Sequence, residues 1–174
     1  MIKTKTYQVF AFPVEDLSIA RYLAAREADY IGIPIDAENL QKSQTLIFQL
    51  REWLAGPKLI GILNTAFNVS GLEALDGYYH TEQLVFYLGQ AELNPLNSGE
   101  TPFLENKYFH ILDKQGHSME VQNAFLEMDL SDAPTRNNKY IGFVIHPGFE
   151  RQTGICDFDL LDQWFDKLDA IQFA

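Results

Sequence analysis

At 174 residues, 47% of them hydrophobic, the chain has the length and composition of a single globular domain (1–174) that buries a core without staples. Its net charge of -11, with 13 basic residues of which no two are adjacent, excludes a surface built to neutralise nucleic-acid phosphates. One cysteine, Cys156, excludes an intramolecular disulfide and a cysteine-based zinc site, and the longest apolar runs are too short to cross a bilayer.

Along the chain, "TYQVFAF" (6–12) is β-branched and aromatic, stops at Pro13 and predicts a first strand. Leu17, Ala20, Leu23 and Ala24 then recur at helical spacing between residues 14 and 27. "YIGIPI" (30–35) has the nearly continuous apolar character of a strand covered on both faces. Leu40, Ile47, Leu50, Trp53 and Leu54 line one side of a second helix, which Gly56 and Pro57 end. "KLIGILN" (58–64) is the third strand. Strands that alternate with helices of this length are the signature of βαβ units and a parallel sheet.

The middle of the chain is less regular. Residues 70–76 have the pattern of a short helix and 77–82 of a weak strand, while "EQLVFYLGQ" (82–90) suits either a helix or a strand. "NPLNSGETP" (94–102) is a loop by composition. "KYFHILD" and "HSMEVQN" flank "KQG", which predicts a β-hairpin over 107–123 that interrupts the alternation. "AFLEMDL" (124–130) and "KYIGFVI" (139–145) are strands, and Leu160, Leu161, Trp164, Phe165 and Leu168 give the last helix an apolar stripe.

In parallel sheets, ligands bind where strands end and loops begin, so the residues after each strand carry the functional interest. "HPGFERQTGICD" (146–157) is the richest such stretch. Gly148 and Gly154 permit close approach to the backbone, and exposed N–H groups at such a turn cradle an anion. The alternative is a plain strand-to-helix connection with Asp157 or Asp159 as the helix cap. Asp129, at the end of "AFLEMD", is a candidate general acid or base, with Glu127 and Asp132 as competitors. Aspartates that simply end strands are common. The four histidines, His80, His110, His117 and His146, have no HxH or HExxH spacing, so no metal site and no cofactor is expected. Cys156 would be reactive at a helix N-terminus and is otherwise a packing residue.

Several of these segments resemble phosphoribosylanthranilate isomerase, a (β/α)8 barrel family of tryptophan biosynthesis. "PGFERQTGICD" follows the family's last turn, S-G-V-E then G-x-K-D, at Gly148, Phe149, Glu150, Gly154 and Asp157. "EADYIGI" (27–33) resembles its G-A-D-x-x-G-F strand, "LIGILN" its V-G-V-F-x-N strand, and "LDGYYHTE" (75–82) its L-D-x-V-Q-L-H-G-x-E. "FLEMD" resembles the L-L-L-D strand that carries the catalytic aspartate.

The resemblance implies an α/β fold, a shortened or distorted (β/α)8 TIM-type barrel of parallel strands, with the possible hairpin around 107–123. It implies a phosphate-binding turn at Gly148, Phe149, Glu150 and Gly154, and Asp129 as general acid. The family's base is a cysteine at the first strand's end. "QVFAFPVED" has none there, which leaves Glu15, Asp16 or His80 for that role. The family's seventh-strand phosphate loop, A-G-G-L, has no counterpart.

The implied function is an isomerase-like protein that acts on or binds a phosphorylated sugar derivative. Its partners would be a phosphorylated small molecule, with neither nucleic acid nor membrane, and it would be a monomer or homodimer. The N-terminal "MIKTKTYQVF" lacks a signal-peptide core, so the expected compartment is the cytoplasm. Two alternatives stand beside it. One is a non-catalytic barrel relic that serves as a small-molecule binding or protein-interaction module. The other is an unrelated doubly wound α/β domain.

Overall fold

The β-branched and aromatic runs fold as strands, and the runs with helical spacing fold as helices. The structure, a computed structural model, describes residues 5–35, 39–63, 84–86, 110–112, 124–136, 139–148 and 158–172. These residues form β1 (Gln8–Ala11), α1 (Leu17–Ala25), β2 (Tyr30–Ile35), α2 (Leu40–Trp53) and β3 (Lys58–Leu63). β4 (Leu84–Phe86), β5 (His110–Leu112), β6 (Ala124–Met128), β7 (Gly142–Ile145) and α3 (Asp159–Gln172) follow.

Helix ends follow local chemistry. The Asp16 carboxylate accepts the Ile19 N–H at 2.8 Å and caps α1, while Asn39 does the same for α2 through Lys42 N–H at 3.3 Å. Gly56, at φ +113°, turns the chain from α2 into β3. Two expectations need correction. Trp53 does not join the buried side of α2 but is 61% exposed, with the Arg21 guanidinium 4.7 Å from its ring centre. Six residues beyond Ile47, it falls about 120° off the buried line. Asp159 is not the cap of α3 but its first residue, and the Phe158 carbonyl accepts the Asp162 N–H at 2.8 Å. Its carboxylate sits in the first turn, where the helix dipole favours negative charge. Asp157 lies outside the described residues.

The ambiguous run at 82–90 contains a strand, β4, at Leu84–Phe86. The first arm of the expected hairpin contains β5, which pairs in parallel with β6. The second arm, 117–123, lies outside the described residues, as do the helix expected at 70–76, the strand at 77–82 and the loop at 94–102.

The seven strands make one sheet in the order β4-β3-β2-β1-β7-β6-β5, and every neighbouring pair is parallel. The α/β class and the parallel pairing therefore follow the sequence-based expectation. One face buries Val9, Ala11, Ile31, Ile33, Phe143 and Ile145 against Ile19 and Leu23 of α1, Ile47 and Leu50 of α2, and Leu161, Trp164 and Leu168 of α3. All three described helices thus cover the same face. Crossovers of constant right-handed sense produce this when each new strand is added on the same side of the last.

The opposite face holds a second, smaller core: Phe10, Ile60, Ile62, Phe125 and Val144, with Phe12, Tyr30 and Ile141 packed against it. The rings of Phe10, Tyr30 and Phe125 meet edge to face at 6.0–6.1 Å. Tyr30 and Phe125 belong to β2 and β6, which are separated by β1 and β7. In a flat sheet those strands stand about 14 Å apart, three spacings of about 4.8 Å. The two rings meet at 6.0 Å over β1 and β7 on this inner face. Two inner-face glycines make room. A Cβ on Gly32 would meet Ile62 Cδ1, Phe10 Cε2 and Phe12 Cδ2 at 2.8–2.9 Å, and one on Gly142 would lie 2.1 Å from the Gln8 carbonyl oxygen. Among the described residues no helix is long and apolar enough to cross a membrane.

Candidate functional site

Strand alternation decides which side chains reach the carboxyl end of the inner face. Phe10 and Phe12 share the inner phase of β1, Phe125 and Glu127 that of β6, and Val144 and His146 that of β7 and its extension. The registers align them: Phe10 is level with Val144, and Val144 with Glu127. Phe12 N–H donates to the Ile145 carbonyl at 2.9 Å, which carries the β1–β7 ladder past the last paired residues.

His146 stands at this edge. Its Nδ1 is 2.6 Å from the Phe12 carbonyl oxygen and its Nε2 is 2.6 Å from Glu127 Oε1. The ring thereby ties together the ends of β1, β6 and β7. The His146 side chain is 44% exposed and that of Glu127 26%, so both are open to solvent above an apolar floor of Phe125 and Val144. Below them the Tyr30 hydroxyl titrates above its ordinary range, first because it is partly buried and second because Asp29 is negative beside it. A carboxylate and an imidazole at one strand edge have the donors and acceptors to hydrogen-bond a polar ligand and to exchange protons with it.

The expected residues are distributed around this edge. Asp129 follows β6, is exposed, and its carbonyl accepts the Asp132 N–H at 3.0 Å in a tight turn. Gly148 follows β7 and is exposed at φ +82°, with no atom of the described residues within 4 Å of the place a Cβ would occupy. Glu15, after β1, is exposed and pairs with Lys42 of α2 at 3.4 Å. Asp16 caps α1, its carboxylate accepting the Ile19 N–H at 2.8 Å. His80, Phe149, Glu150, Gly154 and Cys156 lie outside the described residues. Among the described residues no group of three or more His, Cys, Asp or Glu has the arrangement of a metal site.

The pairing of Glu127 with His146 was missed from sequence. Its signal was a charged residue on the buried phase of a strand, two positions beyond Phe125, matched by a histidine two positions beyond Val144.

A cavity of about 260 Å³ lies at the other end of the sheet, between β1, the end of α1 and α3, and is lined by Lys5, Arg26, Phe165, Asp169 and Gln172 among others. Its charges are largely paired with one another: Lys5 with Asp29 at 2.6 Å, and Arg26 with Asp166 at 2.9 Å and Asp169 at 3.7 Å. These contacts fasten helix and strand ends, which suits a structural role. Compared with known proteins, the chain matches no family model, no curated protein and no solved structure.

Proposed function

We propose that the chain is a shortened (β/α) barrel, similar to phosphoribosylanthranilate isomerase, that takes a phosphorylated sugar derivative at the carboxyl end of its strands. The observation that carries this reading is the neighbourhood of β1 and β7. The order β4-β3-β2-β1-β7-β6-β5 is the cyclic order of a barrel opened between β4 and β5, and the first strand beside the last is the joint that closes such a ring. The three described helices on one face, and an inner face filled by side chains, support the same architecture. A doubly wound sheet carries helices on both faces. In barrels the chemistry sits on the loops after the strands, the edge that carries Asp129, Glu127, His146 and Gly148.

In this reading Gly148 opens the phosphate-binding turn and Asp129 is the general acid. The reaction class is isomerisation by proton transfer. A non-catalytic binding module is the second reading, favoured by Phe12, whose ring packs on the inner core and narrows the space beneath the strand ends.

The test is turnover of phosphoribosylanthranilate by the purified protein, followed as loss of substrate fluorescence, with Asp129→Asn alongside. We expect activity that falls about 10²–10⁴-fold in the variant. Binding without turnover in a folded, concentrated sample favours the module, and neither binding nor turnover overturns the proposed ligand class.

A further inference from the structure

The surroundings of His146 set where its protons are. A backbone carbonyl oxygen only accepts hydrogen bonds, so the 2.6 Å contact from Nδ1 to Phe12 requires a proton on Nδ1. The 2.6 Å contact from Nε2 to Glu127 Oε1 holds one further proton between those two atoms. The pair fixes the Glu127 side chain by one oxygen, and the other, Oε2, has no hydrogen-bond partner among the described residues. That leaves a partly exposed carboxylate oxygen at the carboxyl end of the sheet, over an apolar floor and held in one orientation.

The geometry points to Glu127 as the general base of this site, with His146 as its positioning residue. The substrates it fits are small molecules with an acidic C–H beside a carbonyl or iminium carbon. This inference rests on the reading that the carboxyl end binds a small molecule. It supplies a base for a strand end that has Phe12 and Pro13 where the resemblance calls for cysteine.

In the step, Glu127 Oε2 takes the proton. The C–H bond breaks, an O–H bond forms on the carboxyl group, and the freed electron pair makes a C=C bond. The π electrons of the former C=O or C=N bond move onto its heteroatom, giving an enolate oxygen or a neutral enamine nitrogen. Glu127 is then neutral, and His146 Nε2 at its Oε1 holds the carboxyl group in place for the return step. Where the deprotonated carbon carries a hydroxyl group, the proton returns to the former C=O or C=N carbon and the C=C electrons form that C–H bond. The O–H electrons close a new C=O as the hydroxyl proton passes to the enolate oxygen or, from the enamine, to water, which regenerates the carboxylate and completes a 1,2-shift.

Two measurements decide it. The first needs no substrate: ¹⁵N–¹H spectra of the His146 ring in the whole protein near neutral pH. A proton on Nδ1 is expected in both proteins, and Glu127→Gln is expected to move the Nε2 resonance, because Nε2 faces Glu127. An Nε2 resonance unchanged in Glu127→Gln overturns the inference. The second is steady-state turnover of phosphoribosylanthranilate. Glu127→Gln should lower kcat by about 10²–10⁴-fold, with partial recovery in Glu127→Asp. His146→Gln should lower kcat by about 10²-fold with KM little changed, whereas loss of a purely structural tie would show as a fall in stability. An active wild type with an equally active Glu127→Gln sinks the base and spares the ligand reading. A wild type that neither binds nor turns over the compound sinks both.

Discussion

Gly148 isolates a backbone effect from a steric one. Its φ of +82° disfavours side chains, yet no atom of the described residues lies within 4 Å of the missing Cβ. Gly148→Ala should therefore cost about 1–2 kcal/mol through conformation alone, and Gly148→Asn less, because Asn tolerates the left-handed region. Urea unfolding of the two variants checks this, and an Asn cost as large as the Ala cost would point to a contact instead. The need for glycine here was legible in "HPGFE", since a strand that ends in a turn requires such a residue. The contact between Glu127 and His146 was not. The two lie 19 residues apart, and only the β6–β7 register brings them within 2.6 Å. A single sequence gives the phase of each strand but not the offset between two strands.

The seam of α1 and α3 has a titratable joint of its own. The Tyr22 ring stacks on Phe158 with centroids 4.4 Å apart, and its hydroxyl donates to Asp162 at 2.6 Å. Arg26 reaches Asp166 at 2.9 Å from above the Phe165 ring. The Tyr22 hydroxyl titrates well above its ordinary value of 10.0, first through burial and then through the bond to Asp162 and its negative charge, against a lowering by Arg26. A folded-state value raised above the unfolded one means that this contribution is complete below pH 10 and declines as pH rises past it. Tyr22→Phe should lose about 1 kcal/mol near neutral pH, and its melting temperature should approach that of the wild type above pH 10. Parallel curves through that range would refute the linkage. The helices themselves were legible from periodicity, because each buries a stripe against the sheet. Their ends were not, as Trp53 and Asp159 show, because they depend on which backbone group is satisfied last.

Across the whole molecule, the two inner-face glycines should differ in what they tolerate. At Gly142 the obstacle is the Gln8 backbone, 2.1 Å from a new Cβ, whereas at Gly32 it is the ends of three side chains. Gly142→Ala should cost about 3 kcal/mol or more and Gly32→Ala about 1–2 kcal/mol, measured by denaturant midpoints at unchanged slope. Equal costs would mean that the β1–β7 joint yields as readily as a side chain. The βα alternation that makes the sheet parallel was readable in the first 64 residues and in the last strand and helix. The strand order was not, since the pattern that announces a strand says nothing of which edge it joins. That order has a kinetic meaning. The bond from His146 to the Phe12 carbonyl spans 134 positions, so the first strand waits with one edge open until the far end of the chain arrives. Contacts of such separation slow folding, because the loop must close before anything is gained. A ribosome-bound fragment that ends before β7 would hold β1 and β2 in register and still lack the edge on which Glu127 and His146 meet.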